Sequence, residues 1–245
     1  MPQTAIQLYT LRDLEEPLSE VLKDVAATPF DGVEFTHRVR DADVEAIATV
    51  LEGTGLTVAS AHVGLENLEE SLEETLAIYE RLGCDTLVVP YLDETHFESA
   101  EAVQSTARRL SAMAETVADR GFELHYHNHD HEFVDCGDST AMEVLLEESD
   151  DGLGFELDLG WAVAGGLDPV TLLERYGDRI SLAHFADVET ETMSPVELGD
   201  GDVDLEACLD AARRADVEWY IYEHDEPTDP RESLEHGAAA LEEFR

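Results

Sequence analysis

Residues 153–187 read LGFELDLGWAVAGGLDPVTLLERYGDRISLAHFAD. LGFELDLG (153–160) has the short apolar run of a buried strand, and RISLAHFAD (179–187) repeats it. Between them DPVTLLERYG (168–177) spaces its apolar residues as a helix does, opens on Asp-Pro and closes on glycine. Strand, helix and strand in this order make a βαβ unit, whose strands lie parallel in one sheet. Both strands are broken by polar residues: Glu156 and Asp158 in the first, His184 in the second, with Asp187 at its end. A charge inside an apolar strand is costly unless it is paired or metal-bound. The same stretch therefore predicts a fold and a site.

The unit recurs on both sides. TAIQLYT (4–10), GVEFT (32–36), LTVASAHV (56–63), CDTLVVP (84–90), FELHYHN (122–128) and VEWYIYEHD (217–225) read as six further strands. Helices are expected over 16–28 with Pro17 in the first turn, 41–55 closed by glycine, 67–83 with Asn67 as N-cap, and about 98–120. Others follow over 139–149, 204–216 and 229–244. Eight β/α units without a break in composition fit a (β/α)8 TIM barrel, one domain over residues 1–245. A doubly wound sheet usually has fewer units and a glycine-rich first turn, and LYTLRDLEEP (8–17) has no glycine.

Composition narrows the function. The chain has 58 acidic residues against 14 basic ones, a formal net charge of −44, and Lys23 is its one lysine. The acids are spread through periodic segments, as on a surface kept hydrated in concentrated salt, which points to a halophile of haloarchaeal type. No basic stripe for a nucleic acid is present. Cys84, Cys136 and Cys208 are far apart and odd in number, against a disulfide framework or a cysteine zinc site. MPQTAIQLYTLRD is no signal peptide, and no apolar run approaches the ~18 residues of a membrane span. A cytoplasmic protein without membrane or nucleic-acid partners is expected. A homo-oligomer is compatible with the sequence, which does not specify one.

In TIM barrels chemistry sits at the C-terminal ends of the strands. Those ends carry Gln7 and Tyr9, Glu34 and His37, His62, then Asp93, Glu94 and His96. The later strands add His125 and His127, Glu156 and Asp158, His184 and Asp187, and Glu223, His224 and Asp225. His127, Asp158, His184 and Glu223 each stand where a strand turns into its loop, an O/N donor set suited to Mn²⁺, Co²⁺, Zn²⁺ or Fe²⁺. The other positions read two ways. His125 is a substrate contact or a hydrogen-bonded core histidine. Glu34 meets substrate or pairs with a polar neighbour, Asp187 meets substrate or anchors a loop, and Glu156 braces a layer or a ligand histidine. Tyr9 and Trp161 stack on a sugar or simply pack. His129 and His131, past the strand end, read as loop residues, as do Asp93, Glu94 and His96.

Taken in order, IQLYTLRD (6–13), GVEF (32–35), YHNHDHEF (126–133), FELDLGW (155–161), DPVTLLERYGDRISLAHFAD (168–187), ELGDGDVD (197–204) and WYIYEHDEP (219–227) resemble the xylose isomerase-like TIM-barrel superfamily, the sugar phosphate isomerase/epimerase group. The resemblance covers nearly the whole chain. It implies one divalent metal ion held by Glu, Asp, His and Glu, of which the last three match Asp158, His184 and Glu223. The first Glu matches His127, a departure from the two-glutamate pattern, similar to a subgroup that includes inosose dehydratase-like proteins.

The resemblance further implies an enzyme acting on a small sugar, keto-sugar or polyol derivative. The metal would polarise a carbonyl, Glu223 would take the neighbouring C–H proton, and His127, His62 or another histidine would return or relay it. Return of that proton gives isomerisation or epimerisation; expulsion of a β-hydroxyl gives dehydration, the lyase alternative. A non-catalytic sugar-binding relative is a further alternative. A DNA-repair endonuclease on the same fold would need more metal ligands and a basic groove.

Overall fold

The computed structural model describes residues 2–244. Eight parallel strands close into a barrel: β1 (Gln3–Gln7), β2 (Gly32–Phe35), β3 (Thr57–His62), β4 (Thr86–Val89), β5 (Glu123–His127), β6 (Leu153–Asp158), β7 (Ile180–Phe185) and β8 (Trp219–Tyr222). They neighbour one another in chain order, and β8 closes on β1 from Gln3 opposite Trp219 to Ile6 opposite Tyr222. The expected (β/α)8 barrel is the observed architecture.

Several strands end earlier than their apolar runs. At β1 the Gln7 side chain accepts the Tyr9 amide and turns the chain into a 3-10 segment, Leu8–Leu11. The helices are α1 (Leu18–Ala26), α2 (Val44–Thr54), α3 (Leu65–Glu70), α4 (Leu72–Arg81), α5 (Ala100–Ala118), α6 (Ala141–Glu148), α7 (Leu159–Ala164), α8 (Pro169–Tyr176), α9 (Leu205–Arg214) and α10 (Pro230–Glu243). The helix expected over 67–83 is two. Ser71 leaves the helical region at φ −142°, its hydroxyl donates to the Asn67 carbonyl, and α3 and α4 meet there. Asn67 is thus inside α3, and the expected N-cap is a correction: Gly64 holds that position. The short α7 was not expected; it forms because Asp158, at the end of β6, caps it by accepting the Trp161 amide at 2.6 Å.

Most of the core lies between barrel and helices; inside the barrel Ala5, Ala59, Val88, Leu182, Trp219 and Ile221 form a separate apolar cluster. Registry then sets the polar ends. His127 pairs with Glu156, Asp158 with His184, and Glu34 with Ser60, after register shifts at Val33/Glu34 and Phe155/Glu156. Cys84, Cys136 and Cys208 are free. Among the described residues no helix is long and apolar enough to cross a membrane.

Candidate metal centre and its cavity

Seven polar side chains from β2, β3, β5, β6, β7 and the end of β8 meet at the C-terminal end of the barrel. Glu34, Glu156, Asp158 and His184 are wholly buried, and His127 and Glu223 nearly so. His184 is the hinge of the arrangement. Its Nδ1 faces Glu223 Oε2 at 2.8 Å and Asp158 Oδ2 at 3.9 Å; its Nε2 faces Glu34 Oε2 at 2.7 Å and Glu156 Oε2 at 3.2 Å. On the Nε2 side, Glu156 Oε2 also meets His62 Nε2 at 2.8 Å and His127 Nδ1 at 3.0 Å. Glu34 Oε1 accepts from Ser60 Oγ at 2.9 Å and lies 3.1 Å from His62 Nε2.

Two groups of donors are close enough to hold an ion: His62, His127, Glu156 and His184, and His127, Asp158, His184 and Glu223. The first is already closed, since three imidazoles converge on one oxygen of Glu156. The second is open. Asp158 spends Oδ1 on the Trp161 amide, and its Oδ2 is buried with no hydrogen-bond partner. Buried oxygens are seldom left so. A divalent ion on Asp158, His184, Glu223 and His127 would use it, while Glu34 would accept from His184 Nε2 and fix the ring, the usual brace for a metal-ligating histidine. The donor set fits such an ion.

The charges agree with this reading. Burial drives Asp158 well above its ordinary carboxylate range, with Glu223 adding to it. Burial alone would lower His184, but Glu156, Glu34 and Glu223 outweigh it and hold the ring well above its usual value. His62 is likewise carried against burial to about 10 by Glu34 and Glu156. Glu223 is held down at about 2, where His184 overcomes burial. His127 is lowered by burial, against its hydrogen bond to Glu156. Without a metal, the carboxylates favour the imidazolium forms of both His62 and His184.

Above the group opens a cavity of about 380 Å³. Glu223, Asp225, His62, His127 and His129 line its floor and wall, with Tyr9, Tyr91 and Arg40 toward solvent. Trp161 donates to Asp225 Oδ2 at 3.1 Å and packs its ring 5.8 Å from His129.

Of the sequence-expected residues, His62, His127, Asp158, His184 and Glu223 come together, and Tyr9 lines the cavity. Glu34 does not line it; it is committed to Ser60, His62 and His184. Asp187 is likewise engaged, its two oxygens taking the amides of Val188, Gly199, Gly201 and Val203 and so pinning the loop after β7. His125 lies elsewhere, bonded to Ser181 Oγ at 2.8 Å and lining a second cavity with the N-terminal residues of β5, β6 and β7. His129, expected in a solvated loop, faces the site instead, because Glu132 accepts its amide and folds the segment back. His131 donates or accepts nothing there; its Nε2 bonds the Leu92 carbonyl. Arg40 and Tyr79 line the cavity although nothing in their local sequence marks them, and Asn67, read from the sequence only as a helix cap, lines it too.

The chain belongs to the xylose isomerase-like TIM barrel family, whose model matches residues 22–244. It is similar to the inosose dehydratase of Clostridium botulinum (strain Alaska E43 / Type E3), 26% identical over 206 residues that cover 75% of this chain and 67% of that protein. Its fold is that of a sugar phosphate isomerase/epimerase from Parabacteroides distasonis, with a TM-score of 0.84, 21% identity, and coverage of 98% and 95% of the two chains. It is also that of the IOLI protein with a bound zinc atom, with a TM-score of 0.76, 16% identity, and coverage of 99% and 97%.

Proposed function

We propose that this protein is a divalent-metal-dependent enzyme that moves a proton on the carbon next to a carbonyl of a sugar or polyol derivative, as an isomerase or epimerase. The observation that carries it is the open donor group under a cavity, with Asp158 Oδ2 buried and unpartnered between His184 and Glu223. Asp158, His184, Glu223 and His127 would hold the ion, with Mn²⁺, Co²⁺, Zn²⁺ or Fe²⁺ all suited to the donors. When bound, the ion acts as a Lewis acid on the substrate carbonyl and its neighbouring hydroxyl.

The chain supplies the rest. Glu223 Oε2, which meets His184 Nδ1 in the metal-free site, would turn to the ion, leaving Oε1 to take the C–H proton from a substrate in the cavity. His62, in the cavity wall and bonded to Glu156, is placed to return a proton from its imidazolium form. Trp161 fixes Asp225 beside Glu223, where its carboxyl, pushed up to about 7 by burial and then Glu223, can meet a substrate hydroxyl. Tyr9 and His129 line the cavity and would offer ring faces to the sugar, with Trp161 packed against His129.

A second reading, dehydration of a keto-polyol, is favoured by the name of the curated relatives and by His127 standing where the isomerase pattern has a carboxylate. It shares the first proton transfer. The test incubates metal-loaded protein with keto-hexoses and inososes in D₂O and follows deuterium entry and water loss by NMR. Exchange at the carbon beside the carbonyl is expected, slowed at least about 100-fold in Glu223→Gln. Exchange without elimination marks an isomerase or epimerase, and elimination marks the lyase. Metal-loaded protein that binds these compounds yet exchanges none of them is a binding protein.

A further inference from the structure

We propose that Tyr79 sets the specificity of the cavity: its hydroxyl binds a substrate hydroxyl that lies beyond the carbonyl and its neighbouring carbon, so that deoxy analogues at that position are rejected; the inference rests on the sugar reading above and deepens it. Tyr79 does not come from a strand end. It stands on α4, on the face buried with Thr75 and Leu76. Such a face asks for an apolar side chain, and a phenylalanine would complete it. The tyrosine adds a hydroxyl that packing does not need.

The other buried tyrosines show how this chain treats that group. Tyr126 donates to Glu132 at 2.6 Å, and Tyr176 to Glu147 at 3.0 Å. Tyr222 donates to Glu197 at 2.5 Å and lies 2.7 Å from Ser233 Oγ. Buried tyrosine hydroxyls usually find such a partner. Tyr220 has none, but its oxygen is sealed in the core and it does not line the cavity. Tyr79 is 2% exposed and lines the cavity, and its hydroxyl has no hydrogen-bond partner among the described residues. Burial raises its phenol above the ordinary range, so the group stays protonated and can both donate and accept. Asn67, on α3 before the Ser71 break, brings a carboxamide to the same cavity. The metal donors stand at the strand ends, whereas Tyr79 and Asn67 come from the helices after β3. The carbonyl end of the substrate goes to the first group, and a more distant hydroxyl falls to the second. A site built to hydrogen-bond a hydroxyl rejects the analogue that lacks it, because its own polar group is then left unpaired.

The experiment is a double-mutant cycle read by calorimetry in molar KCl. Metal-loaded wild type and Tyr79→Phe are titrated with D-fructose and with its 4-deoxy, 5-deoxy and 6-deoxy forms, and with scyllo-inosose and its monodeoxy forms. A parent sugar that binds wild type should bind Tyr79→Phe at least about tenfold more weakly. One of its deoxy forms should be weakened as much on wild type and bind the two proteins equally, while the other deoxy forms keep the penalty of the variant. Urea unfolding without sugar should find Tyr79→Phe as stable as wild type, since the hydroxyl has no partner in the protein to lose. Equal binding of the parent sugar by both proteins overturns the proposal. So does the same loss on Tyr79→Phe for the parent and every deoxy form, which assigns the effect to the shape of the cavity. A less stable sugar-free Tyr79→Phe also overturns it, because the hydroxyl would then serve the fold. Wild type that binds none of the probes removes the sugar reading and this inference together.

Discussion

His125 and His127 stand two residues apart on β5, both buried and both turned into the barrel, yet they occupy different chemical worlds. His127 is level with Glu156 and within reach of His62 and His184. His125 is one layer nearer the N-terminal end, where Gly154 leaves space for its ring and Ser181 gives its one hydrogen bond. A Cβ at Gly154 would come within 2.3 Å of that ring. Burial pulls His125 down to about 4, with no carboxylate close enough to reverse it, so it is a neutral packing group. The difference is depth along the barrel axis. Alternation decides which face a residue takes, and strand ends decide whether it meets the loops where chemistry is done.

The largest effect should come from Asp158. Asp158→Ala removes the unpartnered oxygen of the open group, and elemental analysis in molar KCl should find the metal gone, with turnover lost by at least about 100-fold. Ser181→Ala, at the other end of the barrel, should keep its metal. Loss of metal from both variants would mean the two ends are not separable, and the comparison would break.

The histidine pair sharpens it next. His127→Ala should lose metal affinity, by about 10-fold to 100-fold as a lower bound set by removal of supporting groups. His125→Ala should retain the metal but lose the part-buried hydrogen bond to Ser181 Oγ, costing about 0.5–1.5 kcal/mol of stability for that bond in urea unfolding. If His125→Ala were the one to shed metal, the assignment of depth would be reversed.

Eight β/α units were legible because apolar runs and helical stripes alternate without interruption, and His127, Asp158, His184 and Glu223 were legible because polar residues interrupt those runs at their ends. The period of two could not separate His125 from His127, since it encodes the face and not the depth. Glu34 and Asp187 looked like site residues for the same reason. Only the register shift at Val33/Glu34 and the loop closing on Asp187 show that their oxygens are already engaged. Arg40 and His129 reach the cavity through the Ser71 helix break and the Glu132 turn, which are tertiary and leave no periodic trace.

The smallest effect, and the one that tests both ends at once, is on the stability of the metal-free protein as pH changes. His62 has a folded value near 10, above its ordinary 6.5, so its contribution is complete below pH 6.5 and is lost as pH rises toward 10. His184, raised in the same direction by Glu156, Glu34 and Glu223 against burial, steepens that loss. His125, depressed to about 4, acts with the opposite sign: its contribution is complete above pH 6.5 and is lost as pH falls toward 4. After chelation His62 and His125 therefore act in opposite directions across pH 6.5, while Asp225, raised to about 7 by burial and then Glu223, adds a loss as pH rises toward 7. His125→Gln should flatten the limb between pH 6.5 and 5, above the range where the depressed carboxylates Glu156 and Glu223 take over, and His62→Gln should flatten the limb between pH 6.5 and 9. Urea unfolding at fixed KCl across this range reads both limbs. An acid limb unchanged in His125→Gln would show that the ring is not held neutral by burial, and the distinction between the two ends of β5 would then rest on metal binding alone.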